Sequence, residues 1–199
     1  MQIHKLLTPY NYNSGDISRI KYIIIHYVGA TGGAEANCRY YASGRIGASA
    51  HYFVGFEGEI WQSVEDKNIA WHCGAKSYKH PECRNTNSIG IELCVRNKGS
   101  QADTSRDWYF EDATVEAAIA LTKELMAKYG VTADHVIRHY DVTGKICPNP
   151  FSITTRDIPG RSLKPRLNQP VSHRGGRKIL WADTAMYRQT APMQLTNGC

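Results

Sequence analysis

The chain has 199 residues, 42% hydrophobic and 21% charged, with a formal net charge of +6 and a calculated pI of about 9.0. That length supports one domain with a sizeable core that needs no cross-links, and no run approaches the roughly 20 apolar residues of a bilayer span, so membrane insertion is not expected. Residues 1–151 are formally neutral, with 16 Lys/Arg against 16 Asp/Glu; the whole excess lies in residues 152–199, with 8 against 2 and no helical or aromatic-interleaved pattern, so no nucleic acid is expected as a partner.

In chain order, residues 1–9 hold too short an apolar stretch for a signal peptide, which leads to the expectation of cytoplasmic synthesis. Residues 21–28 form a continuous, β-branched apolar run that reads as a buried strand. Thr31-Gly32-Gly33 is a turn, and residues 34–42 read as a short helix stopped near Gly44. Residues 51–56 and 59–64 flank Glu57-Gly58, a hairpin signal. Residues 88–95 alternate, with Ile89, Ile91, Leu93 and Val95 on one face and Glu92 on the other. The clearest helix spans residues 112–129, with Val115, Ala118, Ile119, Thr122, Leu125, Met126 and Tyr129 as its buried stripe and Gly130 as its C-cap. Residues 134–141 are a further strand candidate. The predicted fold is α/β, a single mixed central sheet flanked by helices. After Phe151 four prolines, a Gly175-Gly176 pair and little periodicity predict a basic, poorly ordered C-terminal extension over 152–199, beyond a catalytic domain at 1–151.

Six cysteines follow no repeating spacing, so free thiols or metal ligands are expected rather than a disulfide framework, with Cys73 and Cys83 as the one candidate bridge. Only Cys147 sits in a motif that explains it: Arg138-His139-Tyr140-Asp141-Val142-Thr143-Gly144-Lys145-Ile146-Cys147-Pro148. His26 closes the apolar strand upstream. Taken singly, His26 and His139 read as core histidines and Cys147 as a small hydrophobe. Together, two imidazoles and one thiolate are the three-ligand set of a catalytic zinc site with an open position. Lys145 lies close enough in sequence to stabilise an oxyanion at that metal, or is an ordinary exposed lysine; Glu92 is a general base if its face lines a cleft, or solvent-facing if not.

These segments, with Ser49-Ala50-His51-Tyr52, Ala70-Trp71-His72-Cys73-Gly74 and Asn87-Ser88-Ile89-Gly90-Ile91-Glu92, resemble the type 2 N-acetylmuramoyl-L-alanine amidases, a family that includes phage endolysins, autolysins and peptidoglycan recognition proteins. The resemblance covers roughly residues 18–151. It implies zinc-dependent cleavage of the amide between the muramic acid lactyl group and L-alanine in peptidoglycan, with Zn2+ held by His26, His139 and Cys147. It assigns Lys145 to the metal's neighbourhood and Glu92 to acid/base work, since Ala50 stands where some phage relatives carry a tyrosine. Trp71 and His72 are expected either to line the substrate groove, where aromatic and imidazole surfaces meet glycan or peptide, or to pack the sheet edge. Arg138 pairs either with a stem-peptide carboxylate or in an ordinary salt bridge, and His51 is assigned to structure. The leading expectation is a phage or prophage endolysin acting on the cell wall; its basic tail reads first as a solvated extension, with attraction to anionic wall polymers as the alternative. The alternatives are a cytosolic muropeptide-recycling amidase and a peptidoglycan-binding module without catalysis.

Overall fold

The computed structural model describes residues 1–152; the extension expected beyond them lies outside the described residues. Along the described chain run the strands β1 (His4–Lys5), β2 (Tyr12–Asn13) and β3 (Tyr22–Tyr27), helix α1 (Ala34–Ala42), strands β4 (Tyr52–Val54), β5 (Ile60–Gln62), β6 (Ile69–Ala70), β7 (Ser88–Leu93), β8 (Arg96–Asn97) and β9 (Trp108–Tyr109), helix α2 (Asp112–Tyr129), strand β10 (Val136–Arg138), and helices α3 (His139–Thr143) and α4 (Asn149–Ser152). Six strands make one sheet in the order β1-β5-β4-β7-β3-β10. All its pairings are parallel except the β4–β5 hairpin, which turns at Gly58 with φ +82°. The expected mixed sheet with flanking helices is therefore the fold observed.

A sheet covered on both faces favours continuous apolar strands over simple alternation, and every residue of β3 is buried. Ile23 and Ile25 join Ile89, Ile91 and Leu93 of β7 in the main core, packed with Ala118, Ile119, Leu121 and Leu125 of α2. Burying each large aliphatic side chain there stabilises the fold by about 1.5–3 kcal/mol. The helix has the predicted bounds and ends at Gly130 in the left-handed conformation, φ +67°. Of the predicted stripe, Ala118, Ile119, Thr122 and Leu125 are buried while Val115, Met126 and Tyr129 are only partly so; the buried face also includes Leu121 and Thr114, whose hydroxyl donates to the Gly55 carbonyl at 2.8 Å and ties the helix to the hairpin. Helix α1 also has the predicted bounds; its Ala34 and Cys38 pack with Ala50, Phe53 and Cys94 in a separate cluster.

One other expectation changes, and one alternative is decided. The strand predicted over 134–141 is only Val136–Arg138, because the chain turns into α3 at His139, where the Asp141 carboxylate accepts the Arg138 backbone N–H at 2.9 Å. Glu92 does not face open solvent, since the second face of β7 is covered as well. The five described cysteines are free and buried, so no disulfide joins Cys73 to Cys83. No described helix is long and apolar enough to cross a membrane.

Candidate metal centre and groove

Strands β3, β7 and β10 run parallel, so their C-terminal ends lie side by side, the edge at which open α/β sheets present ligand sites. Register then fixes the neighbours. His26, next to last in β3, pairs with Glu92 of β7, while Arg138, the last residue of β10, pairs with Ile25 and delivers His139 immediately beyond. Cys147 returns to the same place through a tight reversal. Helix α3 stops at Gly144 (φ +86°), and the Tyr140 N–H donates to the Cys147 carbonyl at 2.8 Å. One ligand atom from each of His26, His139 and Cys147 lies within 4.8 Å of the others, and all three residues are buried. Residues some 120 positions apart in the sequence thus converge on one point.

The donor set fits a zinc ion. A tetrahedral centre with the usual Zn–N and Zn–S bond lengths places nitrogen and sulfur ligands roughly 3.5 Å apart, and Cys147 Sγ lies 3.6 Å from His26 Nδ1. Burial, reinforced by His139 and His72, drives the His26 imidazole well below its ordinary pKa, and burial with Lys145 takes His139 down to about 4. Both rings are therefore neutral at pH 7, the form that ligates. Burial, helped by Glu92, pushes the Cys147 thiol far upward; a divalent cation reverses that preference by stabilising the thiolate. Glu92 Oε1 is 3.8 Å from His26 Nδ1, and its Oε2 is a buried oxygen without a hydrogen-bond partner. Burial raises the Glu92 carboxyl to about 8, with Lys145 pulling the other way. A cation in the cluster acts in the same direction as Lys145 and favours the carboxylate.

A groove of about 690 Å³ opens beside this cluster, lined by Gly47, Ala48, Trp71, His72, Gly74, Ala75, Lys76, Ser77, Asn85, His139, Thr143 and Lys145. The structure therefore brings Trp71, His72 and Lys145 to the groove. Trp71 is also fastened, its indole N–H donating to Asn13 Oδ1 at 2.7 Å. Arg138 is not among the lining residues: its guanidinium bonds Asp141 at 2.7 Å and donates to the Phe151 carbonyl at 3.1 Å. His51 is fully buried, its Nδ1 accepting the Gly90 N–H and its Nε2–H donating to the Asn68 carbonyl, each at 3.0 Å. Lys76, Thr143 and Asn85 were not singled out from sequence. Lys76 has no sequence signature and Thr143 lies inside the Arg138–Pro148 motif without a role assigned to it; Asn85 lies in a polar loop, and only the fold shows its Oδ1 accepting the His72 and Cys73 N–H groups at 3.1 and 2.8 Å.

Comparison with known proteins identifies the family of the chain and its fold. The sequence profile of the family described as N-acetylmuramoyl-L-alanine amidase matches residues 16–150. The N-acetylmuramoyl-L-alanine amidase CwlL of Bacillus licheniformis is 33% identical over 146 residues, 68% of this chain and 38% of that protein. The 1,6-anhydro-N-acetylmuramyl-L-alanine amidase AmpD of Salmonella typhimurium is 36% identical over 95 residues, 48% of this chain and 46% of that protein. Among solved structures, a mutant endolysin from Bacillus subtilis superposes with a TM-score of 0.64 at 26% identity, covering 84% of this chain and 99% of that one. The chain spans less than half the length of either of these two curated relatives.

Proposed function

The chain belongs to the N-acetylmuramoyl-L-alanine amidase family, and on that premise we propose that it hydrolyses the amide bond between N-acetylmuramic acid and L-alanine in peptidoglycan, with zinc held by His26, His139 and Cys147. The observation that carries this reading is the convergence of those three buried donors within 4.8 Å, beside a groove and next to a carboxylate with a free oxygen. A zinc ion in that cluster supplies Lewis-acid polarisation of the scissile carbonyl and acidification of water.

The chain's own residues supply the rest. The groove holds the stem peptide, with the Trp71 and His72 surfaces against glycan or peptide. Glu92 takes the proton of the attacking water on its unpartnered Oε2 and passes it to the leaving alanine nitrogen, general acid/base work for one carboxylate. The Lys145 ammonium, at the groove, stabilises negative charge as it develops on the carbonyl oxygen. Burial keeps His26 and His139 neutral, so they remain ligands rather than proton donors.

We read the setting as bacterial cell-wall lysis, the bacteriolytic role of a phage or prophage endolysin. The endolysin-like fold over nearly the full length of the Bacillus subtilis structure supports this. The similarity to AmpD supports a second reading, in which the substrate is a soluble muropeptide to be recycled. In either setting residues 1–151 are proposed to be the catalytic part. The basic residues 152–199 are proposed to attract anionic wall polymers; a chain lacking them that binds walls equally well at low salt rejects this role.

Incubation with isolated peptidoglycan, with and without a zinc chelator, tests the reaction. Mass spectrometry is expected to find free stem peptides beginning with L-alanine, intact glycan strands, and no release when zinc is removed. No release from walls or from soluble muropeptides after zinc is restored rejects the amidase reading. Turnover of soluble muropeptides alone selects the recycling role.

A further inference from the structure

The groove residue His72 also makes a contact that substrate binding does not explain: its Nδ1 lies 3.0 Å from His26 Nε2, with the two rings edge-on at 88°. We infer that His72, Ser88 and the Arg84 carbonyl form a hydrogen-bond relay that holds His26 in the one tautomer able to ligate through Nδ1, which makes His72 a positioning residue of the metal centre. The inference rests on the reading that the His26, His139 and Cys147 cluster holds zinc.

The direction of each bond follows from the one before it. His26 Nδ1 is turned toward Cys147 Sγ and Glu92, at 3.6 and 3.8 Å. A neutral imidazole that ligates through Nδ1 carries its proton on Nε2, so His26 Nε2–H donates to His72 Nδ1. A neutral His72 that accepts at Nδ1 carries its own proton on Nε2, which faces Ser88 Oγ at 3.3 Å. Ser88 is free to accept there, because its hydroxyl proton is committed to the Arg84 carbonyl at 2.6 Å. The chain of donors therefore ends on a backbone oxygen, with every proton placed. Run backwards, it puts a proton on His26 Nδ1, against the sulfur, and takes the Ser88 hydroxyl from its short bond to Arg84.

The relay is also built rigidly. Asn85 Oδ1 accepts the backbone N–H of both His72 and Cys73. The His72 ring lies against Gly90, where an added Cβ would stand 2.6 Å from its Cγ. Side chains two apart on a strand share a face, so Ser88, Gly90 and Glu92 form a single row on β7: the relay's end, the seat of the ring, and the proposed acid/base.

Because His72 also lines the groove, activity alone does not separate the two roles, and the test reads the metal. Zinc affinity is measured by chelator competition on the full chain and on its His72→Leu, His72→Asn and Ser88→Ala variants. Partners of this kind to a metal-bound histidine contribute roughly 10–100-fold in affinity. His72→Leu is expected to lose that factor, His72→Asn to recover most of it by returning an acceptor near the Nδ1 position, and Ser88→Ala to lose less than His72→Leu. Nitrogen-15 NMR of the zinc-loaded wild type, which needs no variant, is expected to show the His72 proton on Nε2. A wild type that binds zinc, with His72→Leu binding equally tightly or the His72 proton on Nδ1, overturns the relay and leaves the zinc reading standing. A wild type that takes up no zinc overturns both.

Discussion

The two faces of β3 and β7 are made from alternate residues of the same strands, yet they do opposite things. Toward α2 stand Ile23, Ile25, Ile89, Ile91 and Leu93, all essentially inaccessible to water and surrounded by other apolar side chains. Toward the groove the same strands present His26, Ser88, Gly90 and Glu92, while loops add His72 and Cys147 and the first turn of α3 adds His139. The first face stabilises by removing apolar area from water. The second buries groups that water solvates well, which costs stability unless each finds a partner. One backbone thus serves as scaffold on one side and as a preorganised site on the other, and a shift of a single residue in register exchanges the two.

Substitutions on the groove face should remove function and leave the fold. The largest effect is expected from Cys147→Ser, which takes peptide release to the uncatalysed level because the metal loses a ligand; a chain that only binds peptidoglycan keeps its affinity and its role after this change. Glu92→Gln is expected to cost about 10²–10⁴-fold in turnover, the usual contribution of a positioned acid/base, with zinc still bound at one ion per chain by elemental analysis. Retained turnover in this variant moves the proton-transfer role elsewhere.

On the opposite face the pattern should invert. Leu121→Ala, at a fully buried position against the sheet, is expected to lower unfolding free energy by about 2–5 kcal/mol in denaturant titration while the folded fraction keeps its zinc affinity. Coupled loss of zinc affinity shows that the two faces are not independent. A smaller effect concerns pH. Burial holds His51 down to about 4, against 6.5 for a free histidine. Between those values the unfolded chain binds a proton that the folded chain does not, so this residue makes stability fall as pH drops from about 6.5 to about 4. In metal-free protein, His51→Gln should flatten that limb by up to about 1.4 kcal/mol per pH unit; an unchanged slope shows that His51 is not titrating as assigned.

Much of the scaffold was legible in the sequence because it obeys local rules. The 3.6-residue spacing and Gly130 gave the bounds of α2, and the isoleucine run gave β3 to within a residue at each end. The stripe of α2 was read too narrowly because a helix seated on a broad sheet buries more than one line of side chains, and Leu121 and Thr114 lie beside the main row. The strand over 134–141 was read too long because β-forming residues continue past Arg138, while the Asp141 cap that starts α3 acts through a side-chain bond. For the site, the His-x7-Cys spacing and the strand-ending histidine named the cluster. The relay from His26 through His72 to Ser88 joins three separate segments and has no local signature. Gly90 was the nearest hint, since a glycine inside an apolar strand marks a place where something packs close to the backbone.

X-ray absorption at the zinc edge on the purified, zinc-reconstituted chain tests the metal centre most directly. The expected result is one zinc per chain with one sulfur at about 2.3 Å and two imidazole nitrogens at about 2.0–2.1 Å, and with the sulfur shell lost in Cys147→Ser. A first shell without sulfur, or a chain that does not retain zinc, contradicts the assignment of His26, His139 and Cys147 as the metal centre.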